Sequence, residues 1–388
     1  MKLAFVVPRY GLEVVGGAET AARQIAERVA ARGWEVEVMT TCAIDDMTWA
    51  DELPPGEATL NGVTVHRWRS SAGRDKASEV WAVELLKRPE AATKADAERW
   101  IDLQGPVCPD VVEAAASTDA DLVAFCPYLY YPTVKGVPRL GKRAILHPAA
   151  HDEPPLGLPV FAEVFARAGG LVFLSAGERR LVHRRFKGAQ TPQILLGLGV
   201  ERQPAAPKLP AAIGDRPYVA CIGRFVGQKG IEALTKAFSA YKSRRPGPLA
   251  LVYAGPVVDT PPEHPDIVVL GPVEEPAKWA LLENAQLLVS PSALESFALV
   301  VVEAWAVGTP VLVNARCEAT RDNCEASGGG LWFDGYAGFE AAMDLLMADP
   351  DLRWRLGQAG QRYVEANFTW PVLIQRYQRF VEQVASRA

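Results

Sequence analysis

The stretch ESFALVVVEAWAVGTP, Glu295 to Pro310, holds two acids eight residues apart, and the second stands alone. Between Ser296 and Thr309 every side chain except that of Glu303 is apolar or absent: Phe297 to Val302 on one side, Ala304 to Gly308 on the other. A carboxylate in such surroundings is costly unless something hydrogen-bonds it or protonates it, so Glu303 implies a partner or a ligand. Upstream, LLVSP predicts a strand, followed by a tight loop and a helix with Glu295, Ser296 and Phe297 in its first turn. The free N–H groups of such a turn form an anion site. At 1.5 Å per residue Glu303 lies about 12 Å further along the helix, a span that suits a sugar, a diphosphate and a ribose. In the plainer alternative Glu295 complements the helix dipole and Glu303 pairs with a buried Arg.

A second motif, CIGRFVGQKGIEALTKAF, puts Arg224 at a strand end and Lys229 at the start of the next helix, with Gly223, Gly227 and Gly230 between and beside them. Two cations at a strand–helix junction, with glycines allowing close backbone approach, suit a diphosphate. The spacing is not that of a Walker loop, and Gly230 stands where a Ser or Thr would be needed. No GxGxxG follows a strand, which argues against a nicotinamide dehydrogenase. Here the plain alternative is a solvated Arg and a helix-starting Lys.

Elements that would position these residues follow from the patterning. Apolar runs (LAFVVP, EVEVMTT, VTVHRW, ADLVAFC, RAILHPA, GLVFLSA) alternate with amphipathic stretches such as AETAARQIAERVAARG. This is the pattern of a parallel sheet covered by helices. It breaks from Gln193 to Tyr218, a Pro- and Gly-rich linker, and resumes with YVACIG, LALVYAG, IVVLG, LLVSP and PVLVN. The expectation is an α/β chain of two Rossmann-like, doubly wound parallel-sheet domains, 1–197 and 198–371, with a last helix at 372–388 packing back on the first. Ligands in such sheets bind at the C-terminal strand ends, and two units would enclose a cleft.

Of the 388 residues, 49% are hydrophobic and 22% charged, and the net charge of -5 argues against a nucleic-acid partner. No apolar run reaches the length of a membrane span. MKLAFVVPRYG is too short and too interrupted, at Pro8 and Arg9, for a signal peptide and is expected to form the first strand. Six cysteines without a CxxC pair point to reduced thiols in a cytoplasmic protein.

The pairing of Glu295 and Glu303 with the upstream G-R-x4-K-G, together with GLEVVGGAETAARQIAERVAARGWEVEVMTT and HPAAHDEPP, resembles the retaining nucleotide-sugar glycosyltransferases of family 4, which adopt the GT-B fold. The resemblance implies that Arg224 and Lys229 neutralise the donor diphosphate and that Glu303 binds the ribose hydroxyls. By the same resemblance Glu295 contacts the donor sugar, the amides of Ser296 and Phe297 reach phosphate, and Gly16 and Gly17 let the backbone approach phosphate or acceptor. The strand-end histidine is His147 or His151. We favour His151, which Asp152 and Glu153 follow. The family transfers the sugar to a hydroxyl acceptor with retention, the leaving diphosphate accepting the acceptor's proton, so catalysis is positioning plus electrostatics. There is no Asp-x-Asp motif at a strand end, and Asp45 and Asp46 stand in another context. The expectation is therefore no metal and no cofactor beyond the nucleotide-diphosphate sugar. A different enzyme class, a non-hydrolysing sugar-nucleotide epimerase, would need more acids and histidines than five His suggest; a non-catalytic nucleotide-sugar binder would have no use for GGAE and His151. The basic run ERRLVHRRFKG is either a solvated face or a contact with an anionic membrane surface that presents a lipid-linked acceptor. Trp81 and Trp100 either shape an acceptor pocket or simply pack.

Overall fold

The computed structural model describes residues 1–186, 191–206, 208–223, 229–256 and 263–388. The chain forms two compact units, Met1–Leu196 with Ile374–Ala388, and Gly197–Leu373.

In the first unit the apolar runs become β1 (Lys2–Val6), β2 (Glu35–Thr41), β4 (Val63–Trp68), β5 (Leu122–Phe125), β6 (Ala144–Leu146) and β7 (Gly170–Phe173). The expected linker begins with one more strand, β8 (Gln193–Leu195), because Ile194 pairs with Val172 in register. An edge strand that apolar periodicity does not announce, β3 (Gly56–Leu60), precedes β4. Asn61 and Gly62, both at positive φ, make the two-residue turn that joins them and sets Leu60 opposite Val63. The sheet order is β3-β4-β2-β1-β5-β6-β7-β8, parallel except for β3 against β4. Leu3 to Val6 and Leu122 to Phe125 are buried throughout, as strands covered on both faces must be.

The second unit holds β9 (Tyr218–Ile222), β10 (Ala250–Ala254), β11 (Ile267–Val269), β12 (Leu287–Ser290), β13 (Val311–Asn314) and β14 (Gly330–Phe333) in the order β11-β10-β9-β12-β13-β14, all parallel. This is the doubly wound order whose direction reverses between β9 and β12. The two motifs of the sequence follow those two strands.

The helix Leu299–Ala306, which carries Glu303, is fixed from behind. The Trp305 indole N–H donates to Gly329 O at 2.8 Å, and the ring lies against Gly360 of the helix Pro350–Asn367. One turn earlier in that helix, a Cβ on Gly357 would overlap the backbone carbonyl of Gly308. The last helix, Trp370–Ala385, holds Pro371 in its first turn, where a missing N–H is harmless. The division between the units falls inside this helix, and its later residues Phe380 and Val384 face Gly170 of β7 in the first unit.

Gly357→Ala gains about 1 kcal/mol of helix propensity but forces two backbones apart, an overpacking cost of roughly 1–3 kcal/mol with no flexible side chain to absorb it. We expect a net loss of stability, read as a lower urea midpoint; a midpoint at or above wild type would contradict this packing.

Candidate functional site

The second unit brings Lys229 and Glu295 together. Lys229 Nζ lies 2.6 Å from Glu295 Oε1, joining the segment after β9 to the segment after β12 across the switch point. Both side chains keep contact with solvent, at 37% and 20% exposure. Arg224, from the same motif, lies outside the described residues. Gly223 closes β9, its N–H donating to Ala254 O of β10 at 3.0 Å.

The loop before Glu303 differs from the expectation. The helix begins at Leu299, so Glu295, Ser296 and Phe297 belong to the preceding loop rather than to a first helical turn. Burial begins with Val301 and Val302, two residues into the helix, and Ala298 caps it at φ 63°, a left-handed conformation uncommon for a non-glycine residue. A constant rise from Glu295 to Glu303 therefore does not apply. Phe297 is 2% exposed and stands edge-on to Phe368 with ring centres 5.3 Å apart, so its side chain anchors the loop. Among the described residues none accepts a hydrogen bond from the amides of Ser296, Phe297 or Ala298.

Glu303 is buried, and its protein partner is a lysine rather than the arginine of the plainer reading. Lys278 Nζ lies 2.8 Å from Glu303 Oε1 and 2.9 Å from Glu275 Oε1. Burial pushes the Glu303 carboxyl above the ordinary carboxylate range, and Lys278 pulls it part of the way back. For Lys278 burial acts downward, but Glu303 and Glu275 outweigh it and hold the ammonium above its ordinary value. Lys278 carried no signal in the sequence beyond an i, i+3 partner in Glu275.

Also at the C-terminal strand ends of this unit, a cavity of about 520 Å³ opens between the helix Ile231–Arg244 and the ends of β12, β13 and β14, lined by Leu234, Ala237, Pro291, Asn314, Phe333 and Tyr336 among others.

In the first unit the GGAE segment is organised by a residue that the sequence reading used only to reject a leader. Arg9, buried at the end of β1, donates to Glu19 Oε1 from Nε at 3.0 Å and from Nη2 at 2.6 Å, and to Ile44 O from Nη1 at 2.9 Å. A Cβ on Gly16 would overlap the Glu19 carboxylate and stand 3.0 Å from Arg9 Nη2, so this glycine makes room for the pair. Gly17 has open space in front of it.

The two histidines separate cleanly. His147 is buried, with Nε2 3.0 Å from the Tyr377 hydroxyl of the last helix, and burial pushes its imidazole down to about 3. His151 is solvent-accessible, 3.4 Å from the Glu153 carboxylate, which in turn accepts from the Tyr128 hydroxyl at 2.8 Å. Its loop is pinned by buried Glu178, whose two oxygens accept from Ala150 N–H at 2.7 Å and Leu174 N–H at 2.6 Å. Glu178 opens the basic run, and beyond it Arg180, His183, Arg184 and Arg185 are exposed, as a solvated face would have them. Arg185 turns back to Glu90 at 2.5 Å, and Lys187 and Gly188 lie outside the described residues. Trp100 is core, while Trp81 packs partly buried beneath Arg99. All six cysteines are unpaired and buried. Among the described residues no cluster of three His, Cys, Asp or Glu could hold a metal ion, and no helix is long and apolar enough to cross a membrane.

With this geometry in view, residues 204–363 match the family described as glycosyl transferases group 1. Over 371 residues the chain is 28% identical to the D-inositol 3-phosphate glycosyltransferase of Acidothermus cellulolyticus, covering 88% of this chain and 80% of that protein. It is 26% identical to the GDP-mannose-dependent alpha-(1-6)-phosphatidylinositol monomannoside mannosyltransferase of Mycolicibacterium smegmatis, over 59% of this chain and 67% of that protein. Among solved structures, sucrose-phosphate synthase from Thermosynechococcus elongatus superposes with a TM-score of 0.73 at 18% identity, covering 100% of both chains. Anabaena HepE in complex with UDP and glucose does so at 0.67 and 15%, again over 100% of both.

His147 makes a prediction about pH. Its folded value is depressed from the ordinary 6.5 to about 3, so below pH 6.5 the unfolded chain takes a proton that the folded chain refuses, and stability falls as pH falls. At pH 5 this amounts to about 2 kcal/mol. Urea titrations at pH 7 and pH 5 should show that loss in wild type, with His147→Gln losing correspondingly less; equal losses would remove His147 as the cause.

Proposed function

We propose that this chain, which has the GT-B fold and carries a group 1 glycosyltransferase segment, transfers a sugar with retention from a nucleotide-diphosphate donor to a hydroxyl acceptor without a metal ion. The observation that carries the reading is the ion pair of Lys229 and Glu295 at the switch point. It is exposed enough to open, and the lysine can exchange a carboxylate for a phosphate. In the proposed complex Lys229, with Arg224 beside it in sequence, neutralises the diphosphate. Glu295, released from the lysine, turns to hydroxyls of the donor sugar, since a carboxylate facing diphosphate would repel it. The free amides of Ser296 to Ala298 add donors to phosphate. Glu303 takes the ribose hydroxyls, its geometry fixed by Lys278.

The leaving diphosphate, made stable by these cations, accepts the proton of the attacking hydroxyl on the same face of the sugar. His151 is assigned to the acceptor side because it is accessible and its loop is held by Glu178, whereas His147 is sealed in the core. The names of the relatives, an inositol phosphate glycosyltransferase and a phosphatidylinositol mannoside mannosyltransferase, support a polyol or glycolipid acceptor. Six buried thiols fit a reducing, cytoplasmic setting.

Calorimetric titration of UDP, GDP and ADP in the presence of EDTA tests the donor site. One nucleotide should bind wild type, and Glu303→Ala should weaken it at least tenfold, about 1.4 kcal/mol, with Lys229→Ala acting in the same direction. A far-ultraviolet spectrum and urea midpoint for each variant separate binding from folding. No binding by wild type, or a Glu303→Ala variant that folds and binds equally well, would sink the assignment.

A further inference from the structure

On the β11 side of the second unit the loops at the strand ends are laced together by their backbones. Gly223 N–H donates to Ala254 O, and a Cβ on Gly255 would overlap Gly223 O. Gly255 N–H in turn donates to Gly271 O at 2.7 Å, and Leu270 N–H to Tyr253 O at 2.9 Å. The segment that leaves β11 is thereby fastened to the glycine that closes β9. Beyond Gly271 it enters the helix Glu275–Asn284, and Lys278 ties that helix to Glu303.

The three side chains that meet there form a graded series. Glu303 and Lys278 are largely enclosed, at 10% and 16% exposure, whereas Glu275 is 63% exposed. One ammonium serves two carboxylates, Glu303 Oε1 at 2.8 Å and Glu275 Oε1 at 2.9 Å. Among the described residues no second cation lies within ion-pair distance of either. Two carboxylates to one ammonium leave a formal charge of minus one beside a site proposed for a diphosphate, which it repels. That repulsion is offset only where the ligand offers the carboxylates hydrogen-bond donors. Ribose hydroxyls supply them to Glu303. Outward from the ribose the next donors of a nucleotide belong to its base, and outward from Glu303 the next acceptor is Glu275.

A carboxylate only accepts, and the bases differ in what they offer it. Guanine presents N1–H and N2–H₂ side by side, two donors that match two carboxylate oxygens. Adenine and cytosine set a lone amino group beside a bare ring nitrogen, and uracil sets its N3–H between two carbonyl oxygens. In each of those three an acceptor would face the carboxylate.

We infer that Glu275, oriented by Lys278, reads the base of the donor and selects guanine, accepting from N1–H and N2–H₂ while Glu303 holds the ribose. The inference rests on the glycosyl-transfer reading and adds the donor's base to it.

The test is calorimetry of GDP, IDP, ADP and UDP on the full chain in EDTA; IDP is GDP without the N2 amino group. Wild type should bind GDP at least about tenfold more tightly than ADP or UDP, with IDP in between. Glu275→Gln keeps the size of the side chain but exchanges an acceptor for a donor. It should weaken GDP at least about tenfold and leave ADP and UDP within about twofold. Glu303→Ala, by contrast, should weaken every nucleotide, since all carry the same ribose. Because Glu275 is largely exposed, Glu275→Gln should keep the wild-type urea midpoint. Tighter binding of ADP or UDP than of GDP by wild type would overturn the inference and leave the transfer reading in place. So would a folded Glu275→Gln variant that binds GDP as wild type does, which would return Glu275 to a solvated helix start. Equal weakening of all four nucleotides by Glu275→Gln would overturn it as well, because a general electrostatic effect does not choose a base. IDP bound as tightly as GDP would remove the N2 contact and with it the claim for guanine. If wild type binds no nucleotide at all, the transfer reading itself fails and takes the base reading with it.

Discussion

A carboxylate removed from water must be compensated where it stands, and in this chain that requirement fixes the loops at the strand ends. Glu19, Glu178 and Glu303 are the buried carboxylates among the described residues. Each sits in a helix that follows a parallel strand, after β1, β7 and β12 respectively. Leaving any of them unpaired would cost several kcal/mol. The compensation differs in each case: the Arg9 guanidinium, backbone N–H groups from two loops, and the Lys278 ammonium. A side chain so tethered orders its neighbours, and for Glu19 and Glu178 these are Gly16 and the loop that carries His151.

Against this background the pair of Lys229 and Glu295 differs in kind. It is partly solvated, and such pairs are worth about 0–1 kcal/mol. Opening it costs little, whereas parting the buried Glu303 from Lys278 would leave a carboxylate uncompensated.

Parallel strands buried on both faces spell themselves out as continuous apolar runs, and β1, β5, β9, β10, β12 and β13 were legible for that reason. β3 was not, since its side chains are largely exposed and carry no period; its only announcement was Asn61-Gly62, a hairpin turn signal. The start of the helix bearing Glu303 was misplaced because Phe297 and Ala298 continue its apolar run into the loop, and only the backbone at Ala298 marks the change. Glu303 was conspicuous as the one polar residue in an apolar run. Its partner Lys278 was not, because a lysine beside acids on an amphipathic helix looks like any solvated face. Arg9 and Glu178 were hidden likewise: one in a segment weighed as a possible leader, the other in a run dominated by its arginines.

The Tyr377 hydroxyl and His147 meet across 230 residues of sequence, and the residues from Ile374 onward belong to the first unit although everything from Gly197 to Leu373 belongs to the second. The second unit is therefore continuous in the chain and the first is not. During synthesis, which releases the chain from its N-terminus, the second unit has all of its residues before the first has its last helix. The unit begun first is completed last, and until then the β6–β7 side of its sheet, where His147, Gly170 and the aromatic residues of that helix meet, stays uncovered. A nascent chain stalled before Ile374 would hold every residue of the second unit while the first still lacked its last helix.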